Sequence, residues 1–274
     1  MKKSNSQLSK KRRDLKIMWS SNSPTSFSGY AVEMRDVLKR LKDDGWNMAI
    51  SAFYGVQGHP VDWYGIKQFP AMMDAYGSDA MFFHAKEWGA NVLITMQDVW
   101  PLDPQFMSQM KYWIPWLPVD KDPAPPPVLD KIRFAYKILT FSSFGQKTLE
   151  KAGFTSNLIL EGTDLNIFKP LDRQECRKFF GLPQDAFIFG MIGANKENPP
   201  RKGYQEAMEA FKMFSDKHPE ALLFLHNQQV TPGGFPIPGF AKYLGIEGKV
   251  IMLDNYKATF VAASEMVNKE LNAF

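Results

Sequence analysis

Short apolar segments with the length of β-strands alternate with segments of helical periodicity along almost the whole chain, and this alternation limits the possible folds. The first group of strand-like runs occupies 15–20, 46–53, 65–69, 91–96, 112–119, 134–142 and 156–162. Strands that alternate with helices form a mostly parallel sheet with helices on both faces. The pattern therefore predicts an α/β fold in which residues 15–170 make one doubly wound, Rossmann-like parallel sheet.

The helices between these strands are predicted from apolar spacing and from end signals. The first ends at Gly45, because glycine adopts positive φ at low cost, and its predicted apolar positions are Ala31, Val32, Met34, Val37, Leu38 and Leu41. The next helix is predicted over 78–89, with Ser78 as its N-cap. In the proline- and tryptophan-rich run at 112–127, the prolines suit a strand end better than a strand centre.

A second, shorter series of strands and helices occupies residues 171–274. It contains strand-like runs at 186–193, 221–226 and 249–253, a helix over 203–217 and a helical final segment. A doubly wound sheet usually has about five or six strands. We therefore expect a partial second Rossmann-like domain and a chain that is a fragment of a longer protein; a small second domain is the alternative.

Positive charge is concentrated at the N-terminus. The first 13 residues hold six cations and no acid, whereas the whole chain has a net charge of +4, so the remainder is slightly acidic. The body is therefore not a basic nucleic-acid-binding surface, and we expect no nucleic-acid partner. The tail, residues 1–14, is predicted to be a disordered, solubilising segment; peripheral contact with an anionic membrane is the alternative.

Apolar runs and cysteine content bear on the compartment. No apolar run reaches the ~20 residues needed to cross a membrane, and no signal-peptide segment follows the basic start. The single cysteine, Cys176, cannot form an intrachain disulfide, and it lies in a short helical segment where a structural role is predicted. These observations predict a cytoplasmic protein, with the membrane surface as a secondary location.

The segment NPPRKG, residues 198–203, joins the strand at 186–193 to the next helix. A helix that begins near Gly203 has unpaired N–H groups and a positive dipole end, which favour an anion. Arg201 can hold two phosphate oxygens and Lys202 adds a point charge, so the two side chains would supply most of the affinity. The alternative is a solvated turn with two exposed cations, and the local sequence favours neither.

Two further polar groups follow predicted strands, at the edge where open α/β sheets bind ligands. Ser28 and Gly29 follow the first strand, where they can present backbone N–H groups. Gln97 and Asp98 end a later strand, and Asp98 is either a functional carboxylate or the cap of the next turn. The proline- and tryptophan-rich run either lines an acceptor cleft or wraps a sheet edge.

Several enzyme classes lack their sequence motifs. No G-x-G-x-x-G follows the first strand and no Walker pattern occurs, which argues against dinucleotide-binding and P-loop enzymes. The four histidines show no metal-ligand spacing, and no G-x-S-x-G segment marks a serine hydrolase. No metal site is predicted from these residues.

In this order and spacing, several segments resemble glycosyltransferases of the GT-B fold, close to glycosyltransferase family 4. The resemblance covers most of residues 15–270. Its strongest segments are LEGTDLNIFKP at 160–170, similar to the family's G-V-D-x-x-x-F-x-P pattern, and NPPRKGY at 198–204. Weaker ones are the Ser28–Gly29 loop, DGWNMAI at 44–50, TMQDVW at 95–100, PVD at 118–120 and SSFGQKTLEKAGF at 142–154.

The resemblance implies an enzyme that moves a sugar from a nucleotide-sugar donor to a glycan, a lipid-linked or another acceptor. It implies two Rossmann-like domains, with the acceptor mainly on the first and the donor on the second. Retention of configuration and independence of any metal or other cofactor are also implied.

Site residues follow from the same resemblance. Lys202 matches the lysine that holds the donor diphosphate, and Arg201 precedes it as in many members. Asn195 joins these two in the expected diphosphate site. Ser28 and Gly29 match the glycine loop near the phosphates. The expected catalytic residues are Asp98 and Gln97, which would orient the sugar or the acceptor.

The chain also departs from the family. Ala194 follows Gly193 where many members have arginine, and Gln97 replaces a frequent histidine. The E-x7-E motif that contacts the donor sugar and ribose does not occur in the 274 residues. This absence keeps open a non-catalytic GT-B-like module that binds a sugar phosphate or a protein. An epimerase or a phosphorylase of the same architecture is a further alternative.

Overall fold

The computed structural model describes residues 14–227, 231–253 and 266–274. The chain divides into two compact units, Met1–Thr163 and Asp164–Phe274. The basic tail at 1–13 and residues 254–265 of the predicted final helical segment lie outside the described residues. Within the described ranges, no helix is both long enough and apolar enough to cross a membrane.

The first unit is built on an eight-stranded sheet. Its strands are β1 Lys16–Asn22, β2 Asn47–Tyr54, β3 Val61–Trp63, β4 Ile66–Phe69, β5 Val92–Met96, β6 Trp113–Leu117, β7 Leu139–Thr140 and β8 Asn157–Leu158. Its helices are α1 Gly29–Asp43, α2 Ser78–Trp88, α3 Pro104–Met107, α4 Pro126–Ile132 and α5 Ser143–Lys151. The strand order is β3-β4-β2-β1-β5-β6-β7-β8, and all neighbours are parallel except β3 and β4. The predicted α/β class with a mainly parallel sheet is confirmed.

Helices cover both faces of this sheet because successive strand residues point in opposite directions. Trp19 of β1, which pairs with Ile50 of β2 and Ile94 of β5, belongs to the core under α1. Its neighbour Met18 belongs to the opposite core, together with Met81 of α2. The central strand is therefore buried on both sides, as parallel sheets require.

The second unit contains a three-stranded parallel sheet with the order β11-β10-β9. Its strands are β9 Ile188–Ile192, β10 Leu222–His226 and β11 Val250–Met252, and its described helices are α6 Arg173–Phe180, α7 Tyr204–Ser215, α8 Ile237–Tyr243 and α9 Met266–Leu271. Helices α7 and α8 contribute to the core on one face, and α6 lies on the other with the C-terminal residue Phe274. This unit therefore has parallel strands with helices on both faces.

Two helix predictions need correction. Val32, predicted on the apolar face of α1, is 45% exposed, whereas Glu33 is buried. Glu33 is buried because its carboxylate accepts a hydrogen bond from the Gly162 N–H, which lies on the inner side of α1. Ser78 is not an N-cap but the first residue of α2, whose cap is Gly77 with φ of 76°. The Ser78 hydroxyl accepts instead from the Asp103 N–H at 3.0 Å.

The proline-rich run also differs from its prediction. Pro115 lies in the middle of β6 rather than at its end. This is tolerated because β7 has only two residues, which pair with Trp116 and Leu117 beyond the proline. Further along the run, Pro126 begins the unpredicted helix α4. The short antiparallel strand β3 was also missed, because three residues carry too little periodicity.

Cys176 and Arg177 lie side by side in the interior of the second unit. Burial raises the pKa of the Cys176 thiol, which fits its predicted structural role. Arg177 is 1% exposed, and its guanidinium donates to the carbonyl oxygens of Pro183, Gln184, Ala186 and Ala273 at 3.1, 2.6, 3.0 and 2.8 Å. It therefore joins α6 to the segment before β9 and to the end of the chain.

Substitution of Arg177→Met should lower the free energy of unfolding of the second unit by about 3 kcal/mol or more, because several buried carbonyl groups lose a charged donor. All seven tryptophans precede residue 117, so hydrogen exchange of the β10 amides is the appropriate measurement. The exposed Arg173→Met on the same helix is the matched control and should change stability by less than about 0.5 kcal/mol. Equal effects of the two substitutions would refute this role of Arg177.

Candidate functional site

The loop between β1 and α1 carries the first predicted site residues. The Ser28 hydroxyl caps α1 by accepting from the Ala31 N–H at 3.1 Å, and it accepts from the Asn22 side-chain amide at 2.6 Å. Its oxygen is thus committed to the protein. Gly29 begins α1, and a Cβ built on it would have no described atom within 4 Å. The space beside the Gly29 backbone is therefore open.

Asp98 lies beside this loop although 69 residues separate it from Gly29. The Tyr30 hydroxyl donates to the Asp98 carboxylate at 3.2 Å. Burial, and then the Asp98 charge, raise the pKa of Tyr30, so this phenol stays protonated and remains a donor. The cap of α3 is Asp103, which accepts from Gln105, rather than Asp98. Asp98 is therefore better explained as a carboxylate held at the edge of the sheet.

Gln97 is the buried neighbour of Asp98. Its side-chain nitrogen donates to the Tyr76 carbonyl at 3.2 Å. Its side-chain oxygen is buried and has no hydrogen-bond partner among the described residues. A buried acceptor without a donor is costly, and such groups often mark a place where a ligand or a water molecule supplies the bond.

A cavity of about 290 Å³ opens next to Asp98 at the ends of β5 and β6. Its walls are Asp98, Val99, Trp100, Pro118, Val119, Asp120, Lys121, Pro125, Pro127 and Val128. The proline- and tryptophan-rich run thus forms both a strand and part of a cavity wall. The exposed Trp100 ring lies 5.9 Å from the ring of Tyr76, and the charged residues of the cavity wall are Asp98, Asp120 and Lys121.

Glu33 supports the same edge from inside α1. Both of its carboxylate oxygens lie 3.2 Å from the Gly162 nitrogen. Gly162 belongs to the LEGT segment that follows β8, so this bond joins α1 to the end of the first unit. Burial raises the pKa of Glu33, the Gly162 bond opposes that change, and the nearby Glu161 adds to it.

In the second unit, the predicted cations lie where the chain passes from β9 to α7. Gly203 has φ of 71° and is the N-cap of α7, without a side-chain cap among the described residues. A Cβ built on Gly193 would lie 3.8 Å from Cγ of Lys202, so the lysine stem passes beside the end of β9. Arg201 is exposed and donates to the Glu197 carboxylate at 3.2 Å. Such an exposed pair is weak and leaves the guanidinium able to exchange partners.

Buried polar side chains hold this loop in place. The Asn195 amide donates to the Phe235 carbonyl and accepts from the Phe235 N–H, both at 2.9 Å. Tyr204, fully buried at the start of α7, donates its hydroxyl to the Gly193 carbonyl at 2.5 Å. Asn195 therefore fixes the loop through its side chain, while Arg201 and Lys202 remain on the surface.

The structure thus joins Tyr30, the residue after Gly29, to Asp98 in the first unit. It places Asn195, Arg201 and Lys202 in one loop of the second unit. Sequence reasoning missed Tyr30, Glu33 and Tyr204. The position of Tyr30 directly after the glycine of the loop was an available signal. A glutamate inside an apolar helix face and a tyrosine at a helix start are common, so the other two gave none. Within the described ranges, no group of His, Cys, Asp and Glu side chains is arranged to hold a metal ion.

No protein-family model matches the chain, and no curated protein sequence matches it. Solved structures do. A glycosyltransferase from Rickettsia africae has a TM-score of 0.61 at 14% identity, and the match covers 91% of this chain and 71% of that one. WaaG, a glycosyltransferase involved in lipopolysaccharide biosynthesis, has a TM-score of 0.59 at 12% identity, covering 94% and 78%.

A third similar structure is the UDP-GlcNAc 2-epimerase from Neisseria meningitidis bound to UDP-GlcNAc. Its TM-score is 0.59 at 9% identity, and the match covers 90% of this chain and 75% of the epimerase. At such identities the likeness concerns the fold and not the chemistry. The chain therefore has the GT-B-like α/β fold, which glycosyltransferases and a UDP-sugar epimerase share.

Substitution of the buried carboxyl by an amide, Glu33→Gln, should raise the free energy of unfolding of the first unit at pH 7. The difference between this variant and the original protein should become smaller as the pH falls toward about 4.3, the ordinary pKa of glutamate. The folded protein has the higher pKa, so it binds more protons than the unfolded chain in this window, and the stability contributed by Glu33 decreases as the pH rises. Tryptophan fluorescence during urea unfolding measures this unit. The same difference at every pH would contradict the assignment; the exposed Glu87→Gln, on α2 of the same unit, is the control.

Proposed function

We propose that the protein is a nucleotide-sugar-dependent glycosyltransferase of the family 4 type. One observation carries the proposal: Arg201, Lys202 and the N-terminus of α7 meet at the carboxyl end of β9, the first strand of a parallel sheet. Ligands of open α/β sheets bind at this edge. The similarity to glycosyltransferase structures supports the proposal at the level of the fold.

The chemistry that this arrangement favours is release of a diphosphate. When a nucleotide-sugar loses its sugar, negative charge develops on the departing phosphate oxygens. Lys202 and Arg201 would stabilise that charge, at about 1.5–3 kcal/mol for each charged hydrogen bond, against about 0.3–2 kcal/mol from the dipole of α7. The side chains would therefore contribute most, with Asn195 acting as a positioning residue for their loop.

In the first unit, the groups near Asp98 would serve the sugar or the acceptor. Ser28 and Gly29 would offer their backbone N–H groups, while the Ser28 side-chain oxygen is committed to the cap of α1 and to Asn22. Asp98 would accept a hydrogen bond from an acceptor hydroxyl, and Gln97 would offer its unpaired oxygen to a sugar hydroxyl. A glycan or a lipid-linked sugar is the proposed acceptor. We place the reaction in the cytoplasm, with peripheral membrane contact through the basic tail.

Calorimetry with UDP tests the diphosphate site. Lys202→Ala and Arg201→Ala should each weaken UDP binding about tenfold, which is ~1.4 kcal/mol. Lys217→Ala removes an equal charge beyond the opposite end of α7 and should leave the dissociation constant unchanged. If neither of the first two variants weakens binding, or if the control weakens it equally, the diphosphate assignment is wrong.

Independence of metal ions is part of the proposal, since cations of the chain would take the role of a bound metal. UDP affinity and transfer to an acceptor should therefore be the same with millimolar EDTA as with millimolar Mg²⁺. Loss of UDP binding in EDTA, with recovery on addition of Mg²⁺ or Mn²⁺, would show that a metal holds the diphosphate.

A non-catalytic module that binds a sugar phosphate is the second candidate, because proteins of different chemistry share this fold. Incubation with UDP-glucose and UDP-GlcNAc separates the candidates. Release of UDP that increases with an acceptor sugar supports the transferase. Binding without turnover supports the module, and recovery of the sugar as its C2 epimer supports an epimerase.

A further inference from the structure

The first unit has another cavity, between α2 and the end of β4. Its volume is about 450 Å³, and most of its wall is apolar, with Phe69, Pro70, Phe83 and Trp88. Phe69 ends β4, Pro70 follows it, and the other two belong to α2. This cavity shares no wall residue with the cavity beside Asp98.

His84 is a buried polar side chain in this wall. It is 5% exposed, and its ring is stacked on the ring of Phe69 with the centroids 4.8 Å apart. Its Nδ1 lies 2.9 Å from the hydroxyl of Ser51, which is buried in the interior of the unit. Its Nε2 is not enclosed by the protein and has no hydrogen-bond partner among the described residues. Because the two ring nitrogens point in nearly opposite directions, Nε2 faces the cavity.

The contact with Ser51 determines which nitrogen of His84 carries the proton. Burial lowers the pKa of His84, although the charge of Asp79 opposes this change, so the ring is neutral at pH 7. Nδ1 is the described partner of the Ser51 hydroxyl, whose proton would otherwise be buried without an acceptor. Ser51 therefore donates to Nδ1, and Nε2 carries the ring proton. A fixed N–H donor thus faces the cavity.

Positive charge prevails beside the aromatic walls. The Lys67 Nζ lies 4.8 Å from the ring centroid of Phe69, and the Lys16 Nζ lies 4.6 Å from that of Trp88. Glu87 is the acidic residue of the wall, and it is exposed. Because ammonium groups already lie over two of the rings, a cationic ligand would meet like charge there. An anionic ligand would be attracted.

We propose that this cavity binds a small molecule that has a flat aromatic ring and a carboxylate. The ring would lie against Phe83, which is 52% exposed, and against Trp88, which is partly buried. The carboxylate would accept hydrogen bonds from the His84 Nε2–H and from the Lys67 ammonium, both of which border Phe69. A carboxylate suits two separate donors because each of its oxygens can accept a bond.

Calorimetry with 2-naphthoate tests this proposal on the 274-residue chain. We expect one bound molecule per chain and a dissociation constant of about 1 mM or lower, which is usual for a ligand of this size. Naphthalene-2-methanol has the same rings without the charge, and naphthalen-2-ylmethanamine has the opposite charge. Both should bind about tenfold more weakly or worse, because they lack the charged acceptor. Saturation with UDP should leave the affinity for 2-naphthoate unchanged, so the result is independent of the proposed function.

Two substitutions test the two donors. Lys67→Met keeps the apolar stem of an exposed side chain, and His84→Phe keeps a ring that can stack on Phe69. Each should weaken binding of 2-naphthoate about fivefold or more. Lys86→Met is the matched control: Lys86 is an exposed lysine of α2 that does not line the cavity, and its substitution should leave the affinity unchanged.

NMR spectra of the histidine rings supply a second measurement that needs no change in affinity. The His84 signals, identified by their loss in His84→Phe, should shift when 2-naphthoate is added. Absence of binding at about 10 mM would overturn the proposal. Equal or tighter binding of either analogue, displacement by UDP, or an unshifted His84 signal would overturn it as well. Because Lys67 is exposed, its variant is expected to fold, and an unchanged affinity in that variant would also refute the proposal.

Discussion

β1 pairs with a parallel strand on each side, and the arrangement of the first unit depends on this pairing. Parallel neighbours must leave the sheet at the same edge, so the loops after β1 and β5 emerge side by side. Gly29 follows β1 and Asp98 follows β5, and Tyr30 spans the two with a hydrogen bond of 3.2 Å. Polar groups far apart in the chain become neighbours because the sheet orders their strands, not because they attract each other.

Burial divides the polar groups of the candidate site into two kinds. Asn195, Tyr204 and Glu33 are buried, and each is hydrogen-bonded to the backbone of another segment. Arg201 and Lys202 are exposed, and the ion pair of Arg201 with Glu197 is itself exposed and therefore weak. Buried polar groups cost too much to leave unsatisfied, so they set the course of the loops. The exposed cations keep their charge available for a ligand.

Most elements of this fold could be predicted from the sequence because their apolar periodicity is strong. The strands near 46–53, 91–96, 186–193 and 221–226 were placed to within a few residues. Two of the failures share a cause. Val32 is exposed while Glu33 is buried, and Ser78 does not cap α2. In both places a side chain accepts a hydrogen bond from the backbone of a segment far away in the sequence. Local patterns contain no information about such partners.

The candidate site was predictable only as separate pieces. The positions after strands identified Gly29, Asp98 and the cations at 201 and 202, since strand ends can be located from hydropathy. The bond between Tyr30 and Asp98, and the commitment of the Asn195 and Ser28 side chains to the protein, could not be foreseen. Each depends on atoms brought together from different strands.

The amino-acid sequence by itself determined the alternation of strands and helices, and therefore the α/β class and the short second series of strands. Only the tertiary structure decided the strand order and which polar side chains are used to hold the loops in place. The physical reason is the range of the interactions. Periodicity and end signals act over a few residues, whereas strand neighbours and buried hydrogen-bond partners come from segments as far apart as Glu33 and Gly162.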